Sequence, residues 1–150
     1  MIFRGTFEHA LDAKHRLTVP AKFRAALAGG VVLAVSPETA PGTPRSVAMW
    51  TPDAYETFTH GALAGLNPLS PQGRELRRLL FANSYDTELD SANRVMIPPT
   101  LMQYADLDKD VVVAGVGECL EVWDRTTYAA YNEGVLARFP EIVASFDHTA

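Results

Sequence analysis

The sequence predicts an α+β protein, mainly β, built from two tandem β-β-α-β-β-α repeats that pack as a pseudo-twofold unit. Three observations lead to this prediction. The chain matches itself at a nearly constant offset, a proline in each copy follows the second strand, and each copy later carries two apolar strands ending at a tryptophan. Neither copy alone would bury much apolar surface, so we expect interleaved strands around one shared core.

The offset is set by three residue types that recur at four-residue steps. They are Asp12, Arg16 and Pro20 in the first copy and Asp90, Arg94 and Pro98 in the second, so that 90 minus 12 gives an offset of 78. Alternating apolar residues predict a strand on each side of the aspartate, at 7–11 and 16–19 and again at 85–89 and 94–97. Since aspartate accepts backbone N–H bonds at turn starts, we expect each copy to form a hairpin that turns there.

The two prolines predict a short helix after the second strand of each copy. Pro20 and Pro98 have no N–H to donate and a φ preset for a helix start, so each should end a strand and open a short amphipathic helix. Two more strands are then expected per copy, at 31–35 and 47–50 and at 111–115 and 120–123. A helical segment should begin after each tryptophan, from Pro52 in the first copy and Arg125 in the second.

These elements divide the chain into four segments. We expect repeats at 6–54 and 81–126, a helical linker at 55–80, and a C-terminal helical segment at 127–150. Ser70 is predicted to cap a helix in the linker, with a proline at its first position.

Composition restricts the class of protein. The 150 residues, 47% of them hydrophobic, suffice for one core, and the apolar runs are far shorter than the roughly 20 residues that cross a bilayer. The N-terminus enters a strand pattern without the order of a signal peptide, so we expect a cytoplasmic protein. The single cysteine, Cys119, lies in an apolar run, where a buried structural thiol is expected rather than a nucleophile or metal ligand.

Charge is distributed unevenly along the chain. Residues 1–27 carry 5 basic and 2 acidic side chains, a balance of +3, whereas residues 28–150 carry 8 basic and 16 acidic ones, a balance of −8. Local cation density is what a nucleic-acid partner requires, even when the whole chain carries a net charge of −5. The alternative is chance segregation on a solvated surface.

The motifs around the two turns resemble those of a known family. Asp-Ala-Lys-His-Arg-Leu-Thr-Val-Pro at 12–20 and Asp-Ser-Ala-Asn-Arg-Val-Met-Ile-Pro at 90–98 are similar to the MraZ family and, more widely, to AbrB-like swapped-hairpin (SpoVT-AbrB) domains. The opening Phe-Arg-Gly, the Pro-Ala-Lys-Phe-Arg after the first motif and the Leu-Glu-Val-Trp-Asp after the second strengthen the resemblance. It implies a nucleoid-associated transcriptional regulator that forms homo-oligomeric rings on repeated DNA elements upstream of the division and cell-wall gene cluster.

The resemblance also implies roles for particular residues. Those expected to contact double-stranded DNA are Lys14, His15 and Arg16 in the first turn, with Arg4, Lys22 and Arg24 as outer phosphate contacts. Those expected to build the turns are Asp12, Pro20, Asp90, Asn93, Arg94 and Pro98. For either arginine, the alternative is an ion pair with the aspartate four residues earlier or with an acid of the other repeat. The acidic surround of Arg94 favours such a structural role there.

One departure from the family pattern falls in both turns. The family usually has glycine immediately before the arginine, whereas this chain has His15 and Asn93. A left-handed backbone at that position suits glycine best, but asparagine and histidine are also enriched at positive φ. We therefore expect both turns to form at a modest cost in strain.

Two other classes of protein, enzymes and antitoxins, fit the sequence less well. An enzyme would need its acid-base groups among His9, His15, His60 and His148 and scattered carboxylates, which match no known catalytic or metal-binding spacing, so we expect no catalysis, metal, cofactor or small-molecule substrate. AbrB-like hairpins also serve as antitoxins, whose disordered tails wrap a toxin. Here the fold is duplicated and the tail, Phe139 to Ala150, is short and partly apolar.

Overall fold

The computed structural model describes residues 2–146 and forms eight strands and five α-helices there. The strands are β1 (Phe3–Ala10), β2 (Arg16–Thr18), β3 (Val31–Val35), β4 (Val47–Trp50), β5 (Ser84–Thr87), β6 (Arg94–Met96), β7 (Asp110–Gly117) and β8 (Leu120–Asp124). The helices are α1 (Pro52–Leu63), α2 (Pro71–Arg77), α3 (Pro99–Tyr104), α4 (Arg125–Ala137) and α5 (Phe139–Ala144), with a 3₁₀ turn at Ala21–Phe23 and a π-helical turn at Arg78–Ala82. The predicted α+β class is confirmed, and so is the element order, except that a 3₁₀ turn at Ala21–Phe23 stands where a short helix was predicted after Pro20.

Strands of the two copies interleave in the main sheet. Its six antiparallel strands run in the order β1-β7-β8-β4-β3-β5, while β2 and β6 form a separate two-stranded layer. β1 pairs along its whole length with β7, from Phe3 opposite Gly117 to Ala10 opposite Asp110, and β5 pairs with β3. Each copy therefore gives its first strand to the other copy, as the predicted interleaving requires.

The prediction that the first two strands of each copy pair with each other as a hairpin is wrong. Across the first turn, the backbone N–H of Asp12 donates to the carbonyl of Arg16 at 3.1 Å, but β2 then pairs with β6 and not with β1. Alternating apolar residues identify a strand without identifying its partner. Here Leu17 and Val95 are buried beneath the main sheet, and pairing β2 with β6 is what brings both of them there.

A pseudo-twofold axis relates the copies. The equivalent strands of the two copies are β1 and β5, β3 and β7, and β4 and β8. Each strand of the main sheet and its equivalent lie at the same distance from opposite edges. Leu17 lies opposite Val95, its equivalent at the offset of 78, and Ala48 lies opposite Glu121, its equivalent at 121 minus 48, or 73. The axis therefore passes between β4 and β8 at the centre of the main sheet and between β2 and β6 in the layer on one face of it.

The molecule has three layers around this axis. On the inner face of the sheet, Leu17, Val19, Val95 and Ile97 are at most 1% exposed and pack with the short helices that follow each proline. On the outer face lie α1 and α4. β3 and β7 are continuous apolar runs because both of their faces are covered. No helix within residues 2–146 is long and apolar enough to cross a bilayer.

Capping side chains fix the helix starts. Thr51 accepts the N–H of Ala54 at 3.2 Å, and Ser70 accepts that of Gly73 at 3.0 Å, which confirms the predicted cap of the linker helix. Cys119 is 2% exposed, and burial raises the pKa of its thiol to about 12, as expected for a structural cysteine.

Candidate functional site

The first turn is organised around one carboxylate. Asp12 Oδ1 accepts the backbone N–H groups of Lys14 and Arg16, both at 2.9 Å, and Oδ2 accepts Arg16 Nε at 2.6 Å. The Arg16 backbone N–H is the largest cause of the lowered pKa of Asp12. Since the folded pKa lies below the ordinary 3.8, this stabilisation is fully present well above pH 3.8 and is lost as the pH falls through the lowered pKa.

The second turn repeats this geometry. Asp90 Oδ1 accepts the N–H groups of Ala92 at 2.8 Å and Arg94 at 2.9 Å, and Oδ2 accepts Arg94 Nε at 2.9 Å. The backbone N–H of Arg94 is likewise the largest cause of the lowered pKa of Asp90. Both arginines therefore make the ion pair that the sequence offered as an alternative to DNA contact, and in this respect the two copies do not differ.

The residue before each arginine has the left-handed backbone that the sequence predicts. His15 has a φ of 58° and Asn93 a φ of 60°. Each left-handed residue also ties the two copies together, because the His15 carbonyl accepts the N–H of Ile97 and the Asn93 carbonyl that of Val19, both at 2.9 Å. Pro20 and Pro98, each four residues after the arginine of its turn, are the N-cap residues of the 3₁₀ turn and of α3.

The two turns meet on one surface. Arg94 Nη1 lies 4.0 Å from Asp12 Oδ2, so the aspartate of the first copy faces arginines from both copies. With Leu17 and Val95 buried, the outward positions of the two-stranded layer, which we call the ribbon face, are Arg16, Thr18, Arg94 and Met96. Arg94 therefore lies close to the basic side chains of the first turn, although its own neighbours in the sequence are acidic.

Of the expected DNA contacts, Arg16 belongs to the ribbon face, Lys14 and His15 flank it, and Arg4, Lys22 and Arg24 lie outside it. Lys14 and His15 are exposed at the tip of the first turn. Arg24 donates from Nε to the Val19 carbonyl at 2.9 Å, and Lys22 Nζ lies 5.7 Å from the Phe23 ring. Arg4 lies near the far end of β1, about 20 Å from the turn at roughly 3.3 Å per residue.

Sequence reasoning missed two basic residues beside the first copy. The carbonyl of Lys109 accepts the N–H of Leu11 at 2.8 Å, and its side chain helps to line a cavity of about 360 Å³ next to His15. Arg125 donates from Nη2 to the His9 carbonyl at 2.7 Å, and burial together with Arg125 and Arg24 lowers the pKa of His9. Only the pairing of β1 with β7 brings these residues together, so no linear motif could have identified them.

The histidines considered as acid-base groups are not gathered into one site. His9 lies in β1, His15 at the first turn and His60 in α1, while His148 lies outside the described residues. Within residues 2–146, no three His, Cys, Asp or Glu side chains are placed to hold a metal ion.

Comparison with known proteins identifies relatives over nearly the whole chain. A family model described as "MraZ protein, putative antitoxin-like" matches residues 2–64 and 80–142, two segments that start 80 minus 2, or 78, residues apart. Among the relatives, each named transcriptional regulator MraZ, that of Mycoplasmoides gallisepticum is 36% identical over 97% of this chain and 98% of its own. That of a Nocardioides species is 36% identical over 100% and 99%, and that of Nitrosomonas europaea 38% identical over 82% and 81%.

Proposed function

The chain belongs to the MraZ family, and on this premise we propose that it is a transcriptional regulator that binds specific double-stranded DNA through the ribbon face. The convergence of both Asp-Arg turns on this face is the observation that carries the proposal. The relatives named transcriptional regulators support the biological role.

The two-stranded architecture of the ribbon face suits the major groove. That groove accepts a two-stranded β-ribbon, and arginine is the commonest side chain that reads guanine there. Each guanidinium uses Nε toward its aspartate and carries four further N–H donors for an acceptor outside the protein. The aspartates thus hold Arg16 and Arg94 in position and restrict their rotamers, which lowers the entropy lost on binding.

Exposed cations around the first turn would supply the phosphate contacts. Lys14 and His15 flank the ribbon face, and Lys109 lies beside the same turn. Arg24, which is half-buried, and the exposed Lys22 are proposed as outer contacts, with Arg4 as the most distant. Such contacts position a protein on DNA without reading its sequence.

So few cations in one chain would bind DNA weakly at physiological salt. We therefore propose a ring-shaped homo-oligomer on repeated DNA elements, in which several ribbon faces bind at once and raise the overall affinity without new contacts. The proposed elements lie upstream of the division and cell-wall gene cluster, and the protein would act in the cytoplasm at the nucleoid.

A direct test compares two duplexes. Fluorescence anisotropy at about 150 mM salt would measure binding to the DNA upstream of the chain's own gene and to a scrambled duplex of equal length. We expect the upstream duplex to bind at least about tenfold tighter, with a footprint of regularly spaced protected elements. Equal affinity for both duplexes would contradict sequence-specific binding.

A second candidate function is suggested by the family description, which includes the words antitoxin-like. An antitoxin would be recovered from its own host in a stable complex with a different protein. Light scattering of the protein purified from its own host distinguishes the two functions. A regulator of the proposed type gives a mass that is a whole multiple of its own 16.4 kDa, whereas a complex with a different protein does not.

A further inference from the structure

On the outer face of the sheet, one charged residue interrupts a row of small side chains. A row of side chains runs across the strands at the level of the pseudo-twofold axis, in the order Thr6, Ala114, Glu121, Ala48, Ala34 and Ser84. Five of these six side chains are small, and only Glu121 carries a charge. Its counterpart across the axis is Ala48, which is fully buried.

The same aromatic arrangement stands over both halves of this row. Trp50 stacks on Phe58 with ring centroids 4.9 Å apart, and Trp123 stacks on Tyr131 at 5.3 Å. A second ring meets each tryptophan edge-on, 5.5 Å away in both copies. That ring belongs to Tyr55 in the first copy and to Tyr128 in the second, so the helical layers α1 and α4 are equivalent.

In the first copy, the stacked rings are shut off from the neighbouring cavity. That cavity, of about 560 Å³ beside α1, is lined by Tyr55 and Thr59 but not by Trp50 or Phe58. Tyr55 is 6% exposed and its hydroxyl donates to the carbonyl of Leu80, which belongs to the π-helical turn after α2. Thr59 is 4% exposed and donates to the carbonyl of Tyr55 at 3.0 Å. With alanines beneath it, the cluster is a packed core.

In the second copy, the equivalent cavity reaches the tryptophan and the carboxylate. A cavity of about 330 Å³ lies between α4 and the sheet, and its wall includes Glu121, Trp123, Tyr128, Tyr131, Asn132 and Thr6. Trp123 Nε1 donates to Glu121 Oε1 at 3.1 Å and so fixes the carboxylate at the aromatic rings. The equivalent of Asn132 is Thr59, at 132 minus 73, which is satisfied within its own helix.

Glu121 has no positive partner of its own. Within residues 2–146, no ion pair reaches this half-buried carboxylate, and the basic residue that begins α4, Arg125, pairs instead with Glu8 at 3.4 Å. Burial raises the pKa of Glu121, and the negative charges of Glu38 and Glu118 raise it further. A negative charge in a partly dry site is most stable beside a cation.

We propose that this cavity is a binding site for a small organic ammonium ion, held by Glu121 and by the aromatic residues that line it, Tyr128 and Tyr131 beside the buried Trp123. A carboxylate supplies the charge, and the aromatic rings attract an alkylated cation that is only weakly hydrated, as in aromatic cages for quaternary ammonium groups. The amide of Asn132 and the hydroxyl of Thr6 offer polar contacts for a substituent. This site is on the opposite face of the sheet from the ribbon face and is independent of DNA binding.

The probe for this site is choline, compared with 3,3-dimethyl-1-butanol, which has the same shape without the charge. The chain contains two tryptophans, so 5-fluorotryptophan labelling gives two fluorine resonances, which Trp123→Phe assigns. We expect choline to shift the Trp123 resonance saturably and to leave that of Trp50 unmoved. The alcohol should bind at least about tenfold more weakly, because it lacks the ion pair and the cation–π attraction.

Two matched variants test the role of the carboxylate. Glu121→Gln keeps an acceptor for the Trp123 indole but removes the charge, and we expect it to weaken choline binding at least about tenfold with an unchanged unfolding midpoint. Glu133→Gln removes the same charge from the exposed surface of α4 and should change affinity by less than about twofold, since exposed charges are screened. Equal binding of choline and the alcohol, or undiminished binding by Glu121→Gln, would show an apolar crevice and overturn the proposal. The proposal would also be overturned if choline at concentrations up to about 50 mM caused no saturable shift of the Trp123 resonance. That concentration is well above a millimolar dissociation constant.

Discussion

The two copies keep the same aspartate–arginine contacts at the turns, whereas their equivalent tyrosines in the outer helical layer have different partners. At the turns, Asp12 and Asp90 make equivalent bonds to Arg16 and Arg94. In the helical layer, Tyr55 donates to the linker carbonyl of Leu80, whereas within residues 2–146 the Tyr128 hydroxyl has no such bond. The turns contact each other across the axis, so a change in one must suit the other. The helices rest on separate halves of the sheet and can diverge independently.

The largest expected effect concerns the two arginines. Arg16→Ala should weaken binding to the upstream DNA by about 1–3 kcal/mol, roughly 5-fold to 150-fold, which is the range for loss of a guanine-reading side chain. Arg94→Ala should cause a smaller loss, because the exposed Lys14 belongs to the first turn and because Asp86 and Glu88 precede the second. An electrophoretic shift at about 150 mM salt measures both variants, since that salt screens most nonspecific contacts.

Two controls accompany these variants. Light scattering should give the wild-type assembly size for both, and Arg16→Lys should bind between wild type and Arg16→Ala, because lysine keeps the charge without the planar fork. Equal losses from Arg16→Ala and Arg94→Ala would mean that the copies form one symmetric binding face. Equal affinity of wild type and Arg16→Ala, or a loss of folding in that variant, would favour a purely structural ion pair.

A second effect separates the helical layers. Tyr55→Phe should lower the free energy of unfolding by about 1–2 kcal/mol, since it leaves the Leu80 carbonyl without its donor in a region where Leu80 is buried. Tyr128→Phe, the same change at the equivalent position, should have an effect of less than about 0.5 kcal/mol. Urea unfolding followed by tryptophan fluorescence compares them. Equal destabilisation would show that the Tyr128 hydroxyl contributes as much to stability as that of Tyr55.

Much of the fold could be predicted from local signals. Proline and serine mark the start of the linker helix at Pro71, and Pro52 and Arg125 begin α1 and α4 as predicted. The left-handed backbone at His15 and Asn93 results from a turn that closes within four residues. These features depend on a few neighbouring residues, which is why one sequence suffices.

Strand partners and cross-strand neighbours could not be predicted in the same way. The alternation of apolar residues marks Phe7 as inward-facing. It does not show that Phe7 pairs with Val113 of β7 rather than with a residue of β2. The proximity of Lys109 to the first turn depends on that pairing, and that of Glu121 to the pseudo-twofold axis depends on the pairing of β4 with β8. In the sequence, Glu121 is a single charged residue within an apolar strand motif. Only the structure shows that it lies opposite Ala48, its equivalent 73 residues earlier, in a row of small side chains.

The smallest expected effect compares the two left-handed residues. Left-handed backbone costs an ordinary residue about 1–2 kcal/mol, and glycine removes this strain but loses about 0.5–1 kcal/mol through its greater freedom when unfolded. His15→Gly should therefore stabilise the protein by about 0.5–1 kcal/mol. Asn93→Gly should change little, because the short amide side chain of asparagine already tolerates this conformation through local hydrogen bonds. Thermal unfolding measures both, and DNA affinity measured in parallel tests whether the exposed imidazole donates to phosphate. If His15→Gly were destabilising, contacts of the imidazole at the cavity beside Lys109 would outweigh the strain, and the two turns would differ in packing as well as in charge.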